Sequence, residues 1–127
     1  MLFRSDVSVQ KKIAPFGYEL MANMAVQHLA RPDEEGNSFY SPASMSILMS
    51  MIQNGAVGDT QKTFLQTLGL GETTSAADLN KSQSAYMRDL KERAQKHNSA
   101  VAAGAAKGDA FSLNIDNAVW KIGRAHV

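Results

Sequence analysis

The sequence predicts an α+β fold that its own 127 residues leave incomplete. Three observations carry this expectation. Apolar residues recur at helical spacing in four segments, near residues 8–30, 42–54, 60–68 and 76–96. One stretch, "FSLNIDNAVW", alternates Phe111, Leu113 and Ile115 with Ser112, Asn114 and Asp116, the period of a strand. The helix after Ser41 carries methionine, isoleucine or leucine in nearly every direction. A lone strand lacks neighbours for its hydrogen bonds, and an apolar helix of that kind lacks enough chain to cover it. Both deficits point to a larger fold.

The elements follow in order. Ile13, Phe16, Leu20 and Met24 share one face of the first helix, with Tyr18, Met21 and Ala25 on a neighbouring face. Pro15 fits a helix start or a kink, because it has no amide hydrogen for an interior turn, so this helix is expected to start late. "ARPDEEGN" breaks it, and "SFY" reads as a very short extended piece. Ser41-Pro42 then pairs a capping hydroxyl with a residue suited to the first helical position. In the helix that follows, Met45, Leu48, Met49 and Ile52 form one face, Ile47 and Met51 point elsewhere, and the polar residues are mostly serines (Ser44, Ser46, Ser50). Such a helix is expected to be buried nearly all round, with its hydroxyls bonded to carbonyls or neighbours. Asn54-Gly55 ends it.

Asp59 or Thr60 is expected to cap a third helix with the stripe Phe64, Leu65 and Leu68, closed by Gly69. Beyond "GETTSAAD" a fourth helix turns Leu79, Tyr86 and Leu90 inward, with Arg88, Asp89, Lys91, Glu92 and Arg93 largely outward. "HNSAVAAGAAKGDA", rich in small residues, is read as a surface loop leading into the strand.

Composition excludes more than it selects. Thirteen basic and twelve acidic residues leave a formal charge of +1, which marks no nucleic-acid or membrane partner. A hydrophobic content of 44% belongs to a globular chain. With no cysteine there is neither a disulfide nor a zinc-thiolate site. His28, His97 and His126 show no metal-ligand spacing and no accompanying nucleophile, so neither a metal, a cofactor nor an enzyme activity is expected; His28 and His97 read as surface residues at helix ends. "GAVGDT" lacks the Gly-Lys-Ser/Thr ending of a phosphate loop and follows a helix, so it is read as a turn. The methionines of the second helix read as core. Asn80-Lys81-Ser82 is formally a glycosylation sequon.

The run "NSFYSPASMSILMSMIQNGAVGDTQKTFLQTLGL" closely resembles the N-terminal region of serpins. Asn37, Ser41, Pro42, Ser44, Met51, Gly55, Ala56, Thr60, Leu65 and Leu68 fall at that family's pattern positions without a gap. "FGYELMANMA" before it and "LNIDNAVW" after it, with Asn117 in its Asn-Ala pair, extend the resemblance from Ile13 to Trp120. The resemblance implies the family's helices A to D with short strand 6B and strand 2A, missing the rest of the central sheet. It implies that Ser41 and Ser44 are shutter residues, where two central strands must part, and that Asn37 supports the turn. Their partners are expected beyond this chain, on a later helix and a later strand. It further implies inhibition of a serine-type endopeptidase, in some cases a cysteine protease. Cleavage of a reactive loop and insertion of that loop as a new strand would trap the protease. The reactive loop lies outside this chain, which is expected to be inactive alone. By resemblance the complete protein would be extracellular; "MLFRSDVSVQKK" has no signal-peptide run, which leaves a cytoplasmic location open. The family's polyanion-binding helix matches the one bearing Lys81, Arg88, Lys91, Arg93 and Lys96, but Asp89 and Glu92 interrupt that basic set, so a solvated mixed-charge face is the expectation.

Residues 1–121 are therefore expected to form the first third of such a domain. Ile122 to Val127 can be encoded by ATC-GGA-AGA-GCA-CAC-GTC, the opening of a widely used sequencing adaptor, so residues 122–127 are expected to be a non-native tail. Two other readings are kept: a serpin-fold chaperone or carrier without inhibitory activity, and an autonomous short helical interaction protein.

Overall fold

Four helices account for most of the chain: α1 (Arg4–Leu29), α2 (Pro42–Gln53), α3 (Gly58–Thr67) and α4 (Ala76–Ala102), with a 3-10 turn at Gly71–Thr73. The computed structural model describes residues 4–31 and 36–117, with side chains from Ser8 onward. α1 packs against α4 and α2, and α2 also meets α3 and α4.

α1 runs through Pro15 without a break, contrary to the late start expected from that residue. Proline removes the amide that would bond the Lys11 carbonyl. Lys11 and Pro15 both lie on the solvent side, where water can serve the freed carbonyl. The inner face carries Val9 and Ile13, both buried, then Phe16, Leu20 and Met24, half-buried, while Tyr18, Met21 and Ala25 are exposed.

α3 starts at Gly58 after Val57, which makes no side-chain cap bond. Asp59 and Thr60 therefore lie inside the first turn and do not cap it. Asp59 still places a carboxylate at the positive end of the helix. The other end behaves as read. The Gly69 amide donates to the Gln66 carbonyl (2.9 Å) and the Leu70 amide to the Leu65 carbonyl (3.0 Å), the paired bonds of a Schellman stop. Gly69 has φ +79°, and a Cβ there would sit 2.6 Å from the Lys12 carbonyl oxygen. Only glycine satisfies both the turn and the approach to α1. The stop folds Leu68 and Leu70 into the core, where they join Val9, Ile13 and Leu79, flanked by Phe16, Met49 and Leu65. Each such side chain contributes about 1.5–3 kcal/mol when fully buried.

α4 opens at Ser75, whose Oγ accepts from the Asp78 amide at 3.1 Å. It continues to Ala102, past Lys96, so the stretch read as a loop from His97 is helical for its first six residues. Alanine is the strongest helix former, and Ala100 and Ala102 extend the helix until glycine is reached. Gly104, at φ +71°, stops it with the same bond pair, Gly104 to Val101 (3.0 Å) and Ala105 to Ala100 (2.8 Å).

No strand forms among the described residues. Residues 38–40 and 111–117, expected as extended pieces, have no ladder partner, and Ala118 to Trp120 lie outside the described residues. A strand is defined by its neighbour, and the neighbour is missing.

α2 departs most from its expected burial. Its buried residues are Ser46, Ile47, Ser50 and Gln53. Leu48, Met49 and Ile52 are half-buried, while Met45 is 37% and Met51 47% exposed. The helix turns its serine and glutamine side, with Ile47, to the other helices and leaves Met45 and Met51 outward.

Candidate functional site

The residues singled out in the sequence gather around the N-terminal end of α2. Ser41, at φ −119° and ψ 107°, holds the extended backbone of an N-cap, and its Oγ accepts from the Ser44 amide at 3.2 Å. Pro42 follows at the first helical position. It presses against α1 where α1 has no side chain, because a Cβ on Gly17 would come within 2.9 Å of the Pro42 Cβ. The first turn of α2 is thereby seated on α1.

Ser44 donates its hydroxyl to Asn117 Oδ1 at 2.8 Å. Two residues named for one site, 73 positions apart, are thus brought together. The partner of Ser44 lies within this chain, whereas the resemblance implied partners beyond it. Asn37 is exposed in the irregular stretch before Ser41. Gly55 lies at the opposite end of α2, its amide donating to the Ile52 carbonyl at 3.0 Å. Thr60 is exposed on α3. Neither Gly55 nor Thr60 joins Ser41 and Ser44, and both mark the exit from α2.

Below that end, a polar seam joins three helices. Ser46 donates to the Ala43 carbonyl (2.8 Å) and Ser50 to the Ser46 carbonyl (2.7 Å), so both hydroxyl protons stay within α2. Ser50 Oγ then accepts from Gln83 Nε2 of α4 at 3.0 Å. Gln10 of α1 donates through Nε2 to Gln83 Oε1 (3.2 Å) and Ser82 Oγ (3.1 Å). At the C-terminal end of α2, Gln61 donates to Gln53 Oε1 at 3.2 Å, and Asn54 and Asn80 exchange reciprocal amide bonds of 3.1 and 2.8 Å. No buried side-chain nitrogen or oxygen among the described residues lacks a partner. A fully bonded network of this kind fixes helix register, because sliding one helix past another would leave its buried amides and hydroxyls without partners. Periodicity did not reveal it, since Gln10, Ser82 and Gln83 look like ordinary helix-surface residues in sequence. The sequon shares this seam: Asn80 is bonded through both ends of its amide and Ser82 is 1% exposed, so the folded bundle does not present it to a transferase.

A second clasp lies at the far end of α4. Asn98 Nδ2 donates to the Phe111 carbonyl (2.8 Å) and Asn98 Oδ1 accepts from the Phe111 amide (3.0 Å). The Asn98 side chain meets both backbone groups of one residue, as a neighbouring strand would. His97, expected as a surface residue at a helix end, lies inside α4, half-buried, with its ring 5.4 Å from that of Phe111. His28 sits exposed in the last turn of α1, as read, and His126 falls outside the described residues.

The outer side of α4 carries Arg88, Lys91, Glu92 and Arg93, all exposed, with Arg93 paired to Asp89 at 2.8 Å. This face mixes charges along its length.

Comparison with curated proteins and with solved structures finds no match. The family model for serpins (serine protease inhibitors) matches residues 12–123. The match takes in the Gly69 stop, the Ser41-Pro42 entry to α2, the Ser44–Asn117 bond and the clasp at Phe111. With that span covered, the chain belongs to the serpin family.

Proposed function

We propose that this chain is the N-terminal part of a serpin whose complete form inhibits a serine-type endopeptidase by reactive-loop cleavage and strand insertion. The observation that supports it most is the placement of α2. Its hydroxyl and amide face is bonded to α4 and α3, while Met45 and Met51 stand 37% and 47% exposed, apolar surface that a central sheet would cover. In this reading Ser41, Pro42 and Ser44 form part of the seat over which strands separate, with Asn37 and Asn117 beside them. Gly55 and Thr60 shape the exit from α2. The chain contributes scaffold and no catalytic group. The complete protein is extracellular in this reading, its target protease is chosen by a loop outside these residues, and residues 122–127 are foreign to the natural chain.

A read of the source locus across Trp120, with no adaptor ligated nearby, tests the frame. An open frame through a sheet and a reactive loop is the expected result. The complete protein, mixed with serine proteases of trypsin-, chymotrypsin- and elastase-like preference, should yield a covalent complex that survives denaturing electrophoresis. Clean cleavage of the loop without a complex would instead favour a non-inhibitory chaperone or carrier. A cooperative, monomeric unfolding transition of residues 1–127 alone would favour an autonomous helical protein.

A further inference from the structure

Asn54 has glycine as its next residue, the arrangement in which a backbone amide nitrogen has freest access to an asparagine side chain. In the fold that access is closed. Asn54 caps α2 with helical backbone angles (φ −65°, ψ −26°), and the Gly55 amide is committed to the Ile52 carbonyl at 3.0 Å. Its side-chain oxygen accepts from Asn80 Nδ2 (2.8 Å) and Gln53 Nε2 (2.9 Å), and its Nδ2 donates to Asn80 Oδ1 (3.1 Å). All of these bonds must open before the Gly55 nitrogen can reach Asn54 Cγ.

We propose that Asn54 is a spontaneous deamidation site gated by its amide pair with Asn80, so that each opening of the α2–α4 seam risks a modification that then holds the seam open. In the step, the Gly55 nitrogen bonds to Asn54 Cγ and the bond from Cγ to Nδ2 breaks. The Gly55 amide proton leaves with Nδ2 as ammonia, and a cyclic imide remains. Water opens the imide at either carbonyl, giving an aspartyl or isoaspartyl residue. The net change is hydrolysis of one amide and needs no oxidant or enzyme. The product cannot donate to Asn80 Oδ1. Its carboxylate also stands at the negative end of the α2 dipole, where anions are disfavoured. The isoaspartyl form adds a backbone atom at the turn into α3. Reclosure is opposed on each count.

The test follows product at residue 54 by peptide mass mapping and isoaspartyl-specific methylation, at mildly alkaline pH. Asn98-Ser99, inside α4, serves as the reporter of global unfolding. The chain in native buffer should deamidate at Asn54 at least about tenfold more slowly than in denaturant, the protection expected when local opening must precede reaction. Asn80→Ala should recover most of that rate at Asn54 and leave Asn98 at its native rate. Gly55→Ala should slow product formation in native buffer and in denaturant alike. Equal native and denatured rates at Asn54, or no acceleration by Asn80→Ala, would overturn the gate. A parallel rise at Asn98 would overturn it too, since the pair would then hold the whole bundle and not one seam. Product formed in denatured Gly55→Ala as fast as in the denatured parent chain, or containing no isoaspartyl form, would remove the imide route.

Discussion

Gly69 and Gly104 end two helices by the same hydrogen-bond pattern but do different work. Both hold positive φ, so a side chain at either costs about 1–2 kcal/mol of backbone strain. Gly69 also lies where a Cβ meets the Lys12 carbonyl oxygen at 2.6 Å, while nothing stands within 4 Å of a Cβ on Gly104. Gly69→Ala should therefore lower stability by the strain plus the displacement of α1, and Gly104→Ala by the strain alone. Urea unfolding of the two variants measures the difference; equal losses would mean that α1 yields freely at Lys12. Sequence conveyed the role of Gly69 as a helix stop, because glycine after an apolar stripe is a recognisable signal. It did not convey the contact with Lys12, since closeness between distant backbones leaves no mark in residue type. The Gly17–Pro42 contact was hidden for the same reason. Ser41 and Ser44 could be placed at a site only through family resemblance. The Ser44–Asn117 bond needed three-dimensional proximity across 73 positions.

Among the elements, α1 offers the sharpest departure from propensity. A proline in an exposed helix interior costs about 3 kcal/mol relative to alanine, and α1 carries it at Pro15. Pro15→Ala should raise both helical content and the unfolding midpoint, read by circular dichroism. No gain would mean that the helix bends at Pro15 in a way its packing on α4 requires. Where apolar residues faced the core, as at Ile13, Leu68 and Leu79, periodicity identified the inner face correctly. It misjudged α2, because hydrophobic spacing ranks faces by apolarity and the neighbours that arrived were Gln10, Ser82 and Gln83. Gln83 meets the Ser50 hydroxyl, and Ser46 satisfies its own on the Ala43 carbonyl, so both serines can lie inward. It also ended α4 too early: small residues suit loops and helices alike, and only the positive φ of Gly104 decides where the helix stops.

At the scale of the whole chain, the small core and the outward methionines set its behaviour in isolation. Tyr18, Phe39, Met45, Met51 and Val57 are all exposed, an amount of apolar surface that promotes association. Residues 1–127 alone should bind a hydrophobic dye and self-associate. Met45→Ser combined with Met51→Ser should reduce both with little loss of helix, measured by dye fluorescence and light scattering. Unchanged association would shift the sticky surface elsewhere, to Tyr18 and Phe39. The helical half of the α+β expectation was legible because helices make their own hydrogen bonds. Among the described residues the strand half does not form, because each expected strand needs a partner from elsewhere in a chain.

The Asn98 clasp has a consequence for how such a chain tolerates change. Since Asn98 fixes Phe111 directly, the segment from Ala103 to Gly108 spans two points that are already fastened. Doubling the length of such a span costs only about 0.6 kcal/mol in closure entropy. That turn is therefore a permissive insertion point. Segments could be gained or lost there through evolution, or a tag placed by design, without moving Phe111, where the following segment begins.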